Sequence, residues 1–569
     1  MQPEEHDLKK RIYARYGQLV QDREGVASQY REVQKYVRPF IGTNLSGLNS
    51  GEETDGYTGR MDSILDNTAD RAADDATAGL LDATASAGKP WFRLGVPDYN
   101  TEEDPEAAAW LYGVEEDMRH IFSRSNVYQA LYRMTDEIMA GTAALELIED
   151  YDTLFRVRAY TLGEYYLATD NTGKVDTFYR DLHLTSKQMI EEFGEENVSE
   201  SVKNSFKNGG TETKWHVIQA VEPNTGIAEY PRLKDFPFRS VYLEAATCKK
   251  GSTDTQVLHM QGLKEFRFLT PRWYTNGNRV YGVGPYLRVL PDTKELQAWR
   301  SILLETGEKI TDPPMRVPGQ PNDLQVNSMK GGLTYDTSVS PGSNAGITPL
   351  YQVNGDLNAT FAIIGDLREQ IREGLHSNLF MMLAQLPDKA GRTATEIAER
   401  SSEKLRRLGP MAQNLHSEAF TPLIEIAFSM MVDAGLVAPP PESLAGRPLR
   451  VVYISSLAQA LQLSGLAGVE QFFAFVGNIS AVKPEVLDTI DGDEAVRFYA
   501  SRTNVPPGIM ITDNDVAFTR QARAQQQQLE QAGVASQNMA QTAKILSDTP
   551  ITEGSALNAL LGSQPQAGR

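Results

Sequence analysis

The chain has 569 residues, 41% of them hydrophobic, with 75 acidic and 55 basic side chains and a formal net charge of −20. That balance argues against a protein that grips nucleic acid through a basic face. An acidic wall keeps a chain soluble and lets a polyanion pass without the counterion release that creates affinity.

Cys248 is the single cysteine, so no internal disulfide can form, and neither it nor the seven histidines fall into a metal or redox motif. The charged start, Met1 to Lys10, lacks the apolar h-region of a signal peptide. No stretch approaches the ~20 apolar residues that cross a bilayer, so no membrane contact and cytoplasm-like surroundings are expected.

In chain order, Ile12, Tyr16, Leu19, Val33 and Val37 recur at helical spacing and predict a helix over 5–38, stopped by Pro39. A loop rich in Gly, Ser, Asn and Thr fills 41–58. An Ala-rich helix is expected over about 61–86, then helices over 105–124 and 127–140. From 142 to 275 the runs are short and rich in Val, Tyr, Phe and Thr, which predicts a mainly β domain with one helix inserted at about 185–207.

A helix is expected over about 291–309, stopped by Pro313-Pro314, then a Pro/Gly/Asn-rich stretch over 312–355 with few strand-like runs. Phe361, Ile364, Leu367, Ile371, Leu375 and Leu379 give the next helix, 356–380, one apolar face about 36 Å long. Met381 to Arg392 contains Pro387 and Gly391 and breaks it. Thr393 and Glu396 form a capping box that opens a long helix to about Gly435, with a kink expected at Gly409-Pro410. Pro439-Pro440-Pro441 marks a boundary. The remainder, 450–546, reads as largely helical, with a Gln-rich segment at 521–531 that is either low-complexity or helical.

Enzyme signatures are weak. Gly282-Val283-Gly284 is too short for a dinucleotide fingerprint, and there is no phosphate-binding Gly-x-x-x-x-Gly-Lys-Ser/Thr loop and no nucleophile elbow. Asp66, Asp70 and Asp74 lie four apart and could share a helix face for a divalent cation, although a solvated acidic face explains them more simply. Asp491-Gly492-Asp493-Glu494 lacks the spacing of a calcium loop and reads as a turn.

The order helix, Pro/Gly-rich excursion, helix, short break, long helix resembles that of phage portal proteins, the head-to-tail connectors of short-tailed, podovirus-type bacteriophages. The residues that carry the resemblance are Gly282-Val283-Gly284-Pro285 with Leu290-Pro291-Asp292, Asp312-Pro313-Pro314, and Gly391-Arg392-Thr393-Ala394-Thr395-Glu396-Ile397. In the N-terminal half Phe40-Ile41-Gly42 and Ala87-Gly88-Lys89-Pro90-Trp91-Phe92 add to it. It covers roughly 8–500.

It implies an α+β, mainly α subunit. The wing of helices and β-rich region occupies 1–280, and stem helix 1 occupies 281–311. The clip is 312–355, stem helix 2 is 356–380, the tunnel loop is 381–392, and a long kinked wing helix is 393–450. A helical crown or barrel with a tail completes the chain at 451–569.

By the same resemblance the chain is structural, not an enzyme, with no catalytic residue, metal or cofactor. It implies a homo-oligomeric ring, usually of twelve copies, at one capsid vertex of the virion, assembled in the host cytoplasm. Double-stranded DNA would be packaged and ejected through it without sequence specificity. A terminase and later tail adaptor proteins would dock on the clip, beside capsid and scaffold contacts.

Within that reading Gln385, Lys389 and Arg392 of the tunnel loop, with Arg368 and Arg372 of the stem, are the candidates to face DNA. Lys330, Leu333 and Tyr335 of the clip are the candidates to dock partners. Lys294, Glu295, Arg300, Asp366 and Glu369 are further polar groups on the stem. Another multimeric virion or scaffolding component, and a nuclease with Asp70 and Asp74 in its site, are the competing expectations.

Overall fold

The structure, a computed structural model, describes residues 3–41, 64–96, 105–224, 235–245, 257–277, 279–318, 326–336, 347–351, 357–384, 408–444, 446–459 and scattered positions from 472 to 544. The chain forms two compact units, Met1–Pro484 and Glu485–Arg569. The mixture of helices and sheets is α+β, as expected.

The first unit opens with α1 (Pro3–Tyr36), α2 (Thr68–Ala85), β1 (Phe92–Gly95), α3 (Pro105–Arg124) and α4 (Val127–Ala140). The β-rich region follows: β2 (Ala144–Asp150), β3 (Leu154–Tyr160), β4 (Tyr165–Thr169) and β5 (Val175–Thr185), then α5 (Ser186–Phe193) and α6 (Glu200–Lys207), then β6 (Lys214–Pro223), β7 (Phe238–Glu244), β8 (Val257–Leu263) and β9 (Phe268–Leu269).

Two expectations need correcting here. Residues 64–67 are not helical; the Asp66 carboxylate accepts from the backbone N–H and hydroxyl of Thr68, so this segment leads into α2 instead of extending it. The single helix expected over 185–207 is two. Gly194, at φ 82°, ends α5, and the Ser199 hydroxyl accepts from the Val202 amide to start α6.

β4 to β8 form a five-stranded antiparallel sheet in sequence order. Its two faces are covered by different helices. Ile218 and Ala220 of β6 pack with Leu8, Ile12 and Leu19 of α1, and the intervening alternation puts Val217 with Met189 and Val202 of α5 and α6. Arg23 of α1 adds a polar anchor: its guanidinium donates to the carbonyls of Gly163 (3.0 Å) and Tyr165 (2.8 Å) and lies 3.8 Å over the Tyr166 ring.

The segments expected to serve as stem and clip, and called so below, come next: α7 (Pro285–Thr311), β10 (Met315–Pro318), β11 (Leu333–Asp336), β12 (Thr348–Pro349) and α8 (Leu357–Gly374), then α9 (Ser377–Ala384). α7 begins six residues before the expected 291. Pro285 stands at its first turn, where a missing N–H costs nothing, and Pro291 is carried inside the helix at the loss of one backbone hydrogen bond.

The helix expected over 356–380 is divided. His376 sits at φ 56°, and the Ser377 hydroxyl donates to the Arg372 carbonyl. The apolar stripe runs on through the break because Ile371, Leu375 and Leu379 join the same core. Met381 to Ala384 is the end of α9, and 385–407 lies outside the described residues.

The chain resumes as helix at 408–415, passes through a π-helical turn at His416–Phe420, and continues as α10 (Thr421–Asp433). The interruption thus falls at 416–420. Gly409 and Pro410 lie in the first described turn. Pro422 has no N–H to return to Glu418, and the Thr421 amide donates to the His416 carbonyl in the wide turn instead.

β13 (Arg450–Tyr453) then pairs antiparallel with β1, Phe92 opposite Tyr453. A helix was expected from 450; Arg450-Val451-Val452-Tyr453 is instead the β-branched and aromatic partner that β1 needs. Trp91, Phe92, Phe122, Phe155 and Phe420 meet in the main core here, the Trp91 ring 5.1 Å from that of Phe420.

In the second unit the described residues include helical ones at 518–523 and 525–526, which run into the Gln-rich segment. No helix among the described residues is long and apolar enough to cross a membrane.

Candidate stem and clip surface

The start of α7 is set against the end of α4 by a contact of backbone on backbone. A Cβ built on Gly284 would lie 2.1 Å from the Met139 carbonyl oxygen, and one on Gly282 would lie 2.4 Å from the Gly141 oxygen. Gly141 itself, at φ 141°, is open only to glycine, and its carbonyl accepts from the Trp273 amide at 2.9 Å. The Gly282 amide donates to the Thr142 hydroxyl at 2.8 Å. Gly282-Val283-Gly284-Pro285 is therefore a joint: two glycines allow the chain to lie against 139–141, and the proline starts α7.

Beyond the joint, α7 and α8 pack together through Val289 and Leu296 on one side and Ile364, Leu367 and Ile371 on the other, all buried. Gly374 lets the helices close up, since a Cβ there would lie 2.5 Å from the Val289 side chain. This burial stops half-way. Past Gln297 no residue of α7 is buried, and Ile302 (49% exposed), Leu304 (50%) and, on α8, Phe361 (55%) face outward.

At the base of the stem, residues 65–66 are stapled to α7. The Gln297 side-chain oxygen accepts from the amides of Leu65 (2.8 Å) and Asp66 (2.9 Å), and its NH2 donates to the Asp66 carbonyl (2.7 Å). The buried Asp66 carboxylate accepts from Arg368 at 2.7 Å and lies 3.5 Å from Arg300. Burial alone would raise its pKa, but the hydrogen bonds from Thr68 and Arg368 outweigh that and hold it below the usual carboxylate range. Beside it is a cavity of about 400 Å³ lined by Asp66, Arg71, Asp75, Arg300, Arg368 and Arg372, among others.

The acidic row is thereby accounted for. Asp66 belongs to the stem, whereas Asp70 and Asp74 pair with Arg38 at 2.7 and 2.6 Å; these two form ion pairs, and the fully solvated face expected of the row is not what forms. Arg38 also holds Asp136, which accepts from the Tyr286 hydroxyl at the start of α7.

The remaining stem groups have modest partners. Lys294 pairs with Glu32, Glu295 accepts from the Trp299 indole, Asp366 accepts from Gln370, and exposed Arg372 lies 3.4 Å from Glu369.

The clip contains more order than its composition suggested. β10 is the middle of a three-stranded sheet, parallel to β11 and antiparallel to β12, so 312–355 is not irregular throughout. The Leu350 amide donates to the Pro314 carbonyl at 2.6 Å, returning the chain to the point where it left α7. Gly331 turns at φ 62°, with its amide bonded to the Asp312 carbonyl, and Lys330 pairs with Glu308 at 2.9 Å. Leu333 and Tyr335 stand on β11, 49% and 45% exposed, close in sequence to exposed Val326 and Met329.

Of the residues expected to face DNA, Arg368 and Arg372 share the Asp66 cavity. Gln385, Lys389 and Arg392 lie outside the described residues, as do Gly391 to Ile397. Sequence reasoning missed the Asp66–Gln297–Arg368 staple, which joins positions some 230 to 300 apart and has no local signature. It also missed the role of Gly141, although an isolated glycine at the end of a helix signals a special backbone position.

Residues 9–511 match the family model described as bacteriophage head to tail connecting protein. The chain belongs to that family. The connector is also 35% identical over 556 residues to a protein named Probable portal protein from Bordetella phage BPP-1, and 33% identical over 556 residues to the portal protein of Salmonella phage epsilon15. In each case 97% of the connector and 98% of the relative are covered. Its role is that of a portal, joining phage head to tail. The glycine joint, the α7–α8 pair and the β10–β12 sheet all lie inside the matched region.

Proposed function

We propose that copies of the connector close into a ring, twelve in number, at the unique capsid vertex, and that the stem helices surround a passage for double-stranded DNA during packaging and ejection. The observation that carries this is the half-covered stem. α7 and α8 bury one face against each other at their base and leave Ile302, Leu304 and Phe361 in water farther out. Exposed apolar surface on that scale marks an interaction surface, and a closed annulus covers it on every copy.

The clip docks the terminase and later a tail adaptor through Lys330, Leu333 and Tyr335. Capsid and scaffold proteins contact the wing, and 451–569 forms the crown. Gln385, Lys389 and Arg392 of the tunnel loop brush the passing phosphates, with the stem arginines Arg368 and Arg372 as the other candidates. The role is structural, without catalysis or cofactor; the virion holds the ring, which assembles in the host cytoplasm.

Negative-stain microscopy of the purified full chain tests the ring. Annular particles with a central hole support it, and a compact monomer at micromolar concentration overturns it. Replacing Lys389 and Arg392 together with Ala and finding packaging and DNA retention unchanged would remove them from the channel.

A further inference from the structure

The cavity at the stem base is unusual for this chain. The whole molecule carries twenty more acidic than basic groups, yet four arginines, Arg71, Arg300, Arg368 and Arg372, converge on one hollow of about 400 Å³. Two carboxylates share the lining. Asp66 is held by Arg300 and Arg368, and Asp75 is the other acid among the described lining residues. That leaves a surplus of positive charge in a hollow open to solvent. Among the described residues Arg71 makes no ion pair, and Arg372 pairs with Glu369 alone, one helical turn away on the same helix.

The opposite charge lies on the same helix, turned away. At about 100° per residue, Asp366 lies roughly 160° around α8 from Arg368, with Glu373 close to Asp366. Both are exposed. α8 therefore has a basic flank at the cavity and an acidic flank directed elsewhere. A single chain cannot bring the two together, but a cyclic arrangement can. In a heterologous interface each copy offers one surface and receives a different one, and the contact repeats until the ring closes.

We propose that the Arg71–Arg300–Arg368–Arg372 cavity is a receptor for the acidic flank of α8, Asp366 and Glu373, of the adjacent copy. The inference rests on the ring reading above and assigns Arg368 and Arg372 to the contact between copies in place of the channel. Carboxylates paired to guanidinium groups at a partly enclosed site fix register between copies, and a like charge there is strongly disfavoured.

The test uses the full chain and two charge reversals. One variant carries R71E and R372E in the cavity, and the other carries D366K and E373K on the flank. These four side chains lie largely in solvent, and circular dichroism melts identify any loss of fold. Should either reversal melt early, R372Q and E373Q replace it.

Ring content is read by native mass spectrometry and electron microscopy. Each reversed variant alone is expected to lose ring at least roughly tenfold at fixed concentration. Mixing the two restores it, because the reversed cavity of one accepts the reversed flank of the other, in alternating rings with an even number of copies.

Rings that form normally from either variant overturn the proposal, as does a mixture that fails to recover. Normal rings with weakened DNA retention would assign the arginines to the channel instead. Wild-type chain that forms no ring would overturn the underlying reading, a result separate from all of these.

Discussion

The regions read as wing and stem use the same apolar periodicity to opposite ends. Around β1 the apolar faces of α3, α4 and α10 find their partners within one chain: Trp91, Phe122 and Phe420 meet in a core closed by these helices. In the stem, Ile364, Leu367 and Ile371 are equally regular, but cover is available only at the base, and the outer halves of α7 and α8 keep large apolar side chains in water. A helical stripe thus states that a face will be buried; it does not say by which molecule.

Glycine substitutions should give the largest effects. Gly284→Ala forces a Cβ to within 2.1 Å of the Met139 carbonyl and should cost about 3 kcal/mol or more, visible as a large drop in melting temperature. Gly365→Ala in α8, where nothing lies within 4 Å, should be neutral or gain about 0.5–1 kcal/mol through helix propensity. Equal losses at both sites would mean that the stem is as tightly enclosed as the wing.

Truncated apolar side chains should separate the two regions as well. Leu131→Ala in the wing core should cost about 2–5 kcal/mol in chemical denaturation. Leu304→Ala, half exposed in the single chain, should leave denaturation of the unassembled protein within about 0.5 kcal/mol and still reduce ring formation.

The staple should show an intermediate effect. Asp66→Asn removes the charge facing Arg368 and Arg300 and should cost about 1–3 kcal/mol at neutral pH. Because the folded pKa of Asp66 is depressed, its contribution is present above the ordinary carboxylate pKa of ~3.9 and fades as pH falls through the lower folded value. The variant should therefore lose less stability than wild type on acidification.

The wing has a pH response of the other sign. Glu137 is buried, which pushes its pKa up to about 8 although it accepts from the Tyr30 hydroxyl at 2.5 Å. A raised folded pKa means the contribution is complete below the unfolded value of ~4.3 and is lost as pH climbs through about 8. Glu137→Gln should flatten that slope in urea melts at successive pH values, and an unchanged slope would assign it to other groups. Smallest of all, Lys330→Ala should not alter melting measurably, since its pair with Glu308 is exposed on both sides; any effect belongs in terminase or tail binding.

Much of this was legible in the sequence, because helices such as 105–124 and 127–140 carry their own periodicity and stops. Pro313-Pro314 likewise marked the end of α7. What was not legible depended on distant partners. Arg450–Tyr453 is a strand only because β1, some 350 residues earlier, needs an edge. Leu375 and Leu379 sit on opposite sides of a break that the stripe conceals, since both segments face one core. The glycines at 282 and 284 stood out as part of a family pattern, but their cause, the carbonyls of Met139 and Gly141, could not be read without the fold. The stem arginines are a similar case: their charge was visible, but not the carboxylate at position 66 that holds two of them.

The most direct test of the central claim is the rotational symmetry of particles formed by the purified full-length chain, determined from electron-microscopy class averages viewed down the axis. A single closed annulus, with α7 and α8 inclined around a hole wide enough for a DNA duplex and the outer halves of both helices covered by neighbouring copies, is the predicted result. Particles without a hole, or a monomer whose Ile302, Leu304 and Phe361 remain in water, would contradict it.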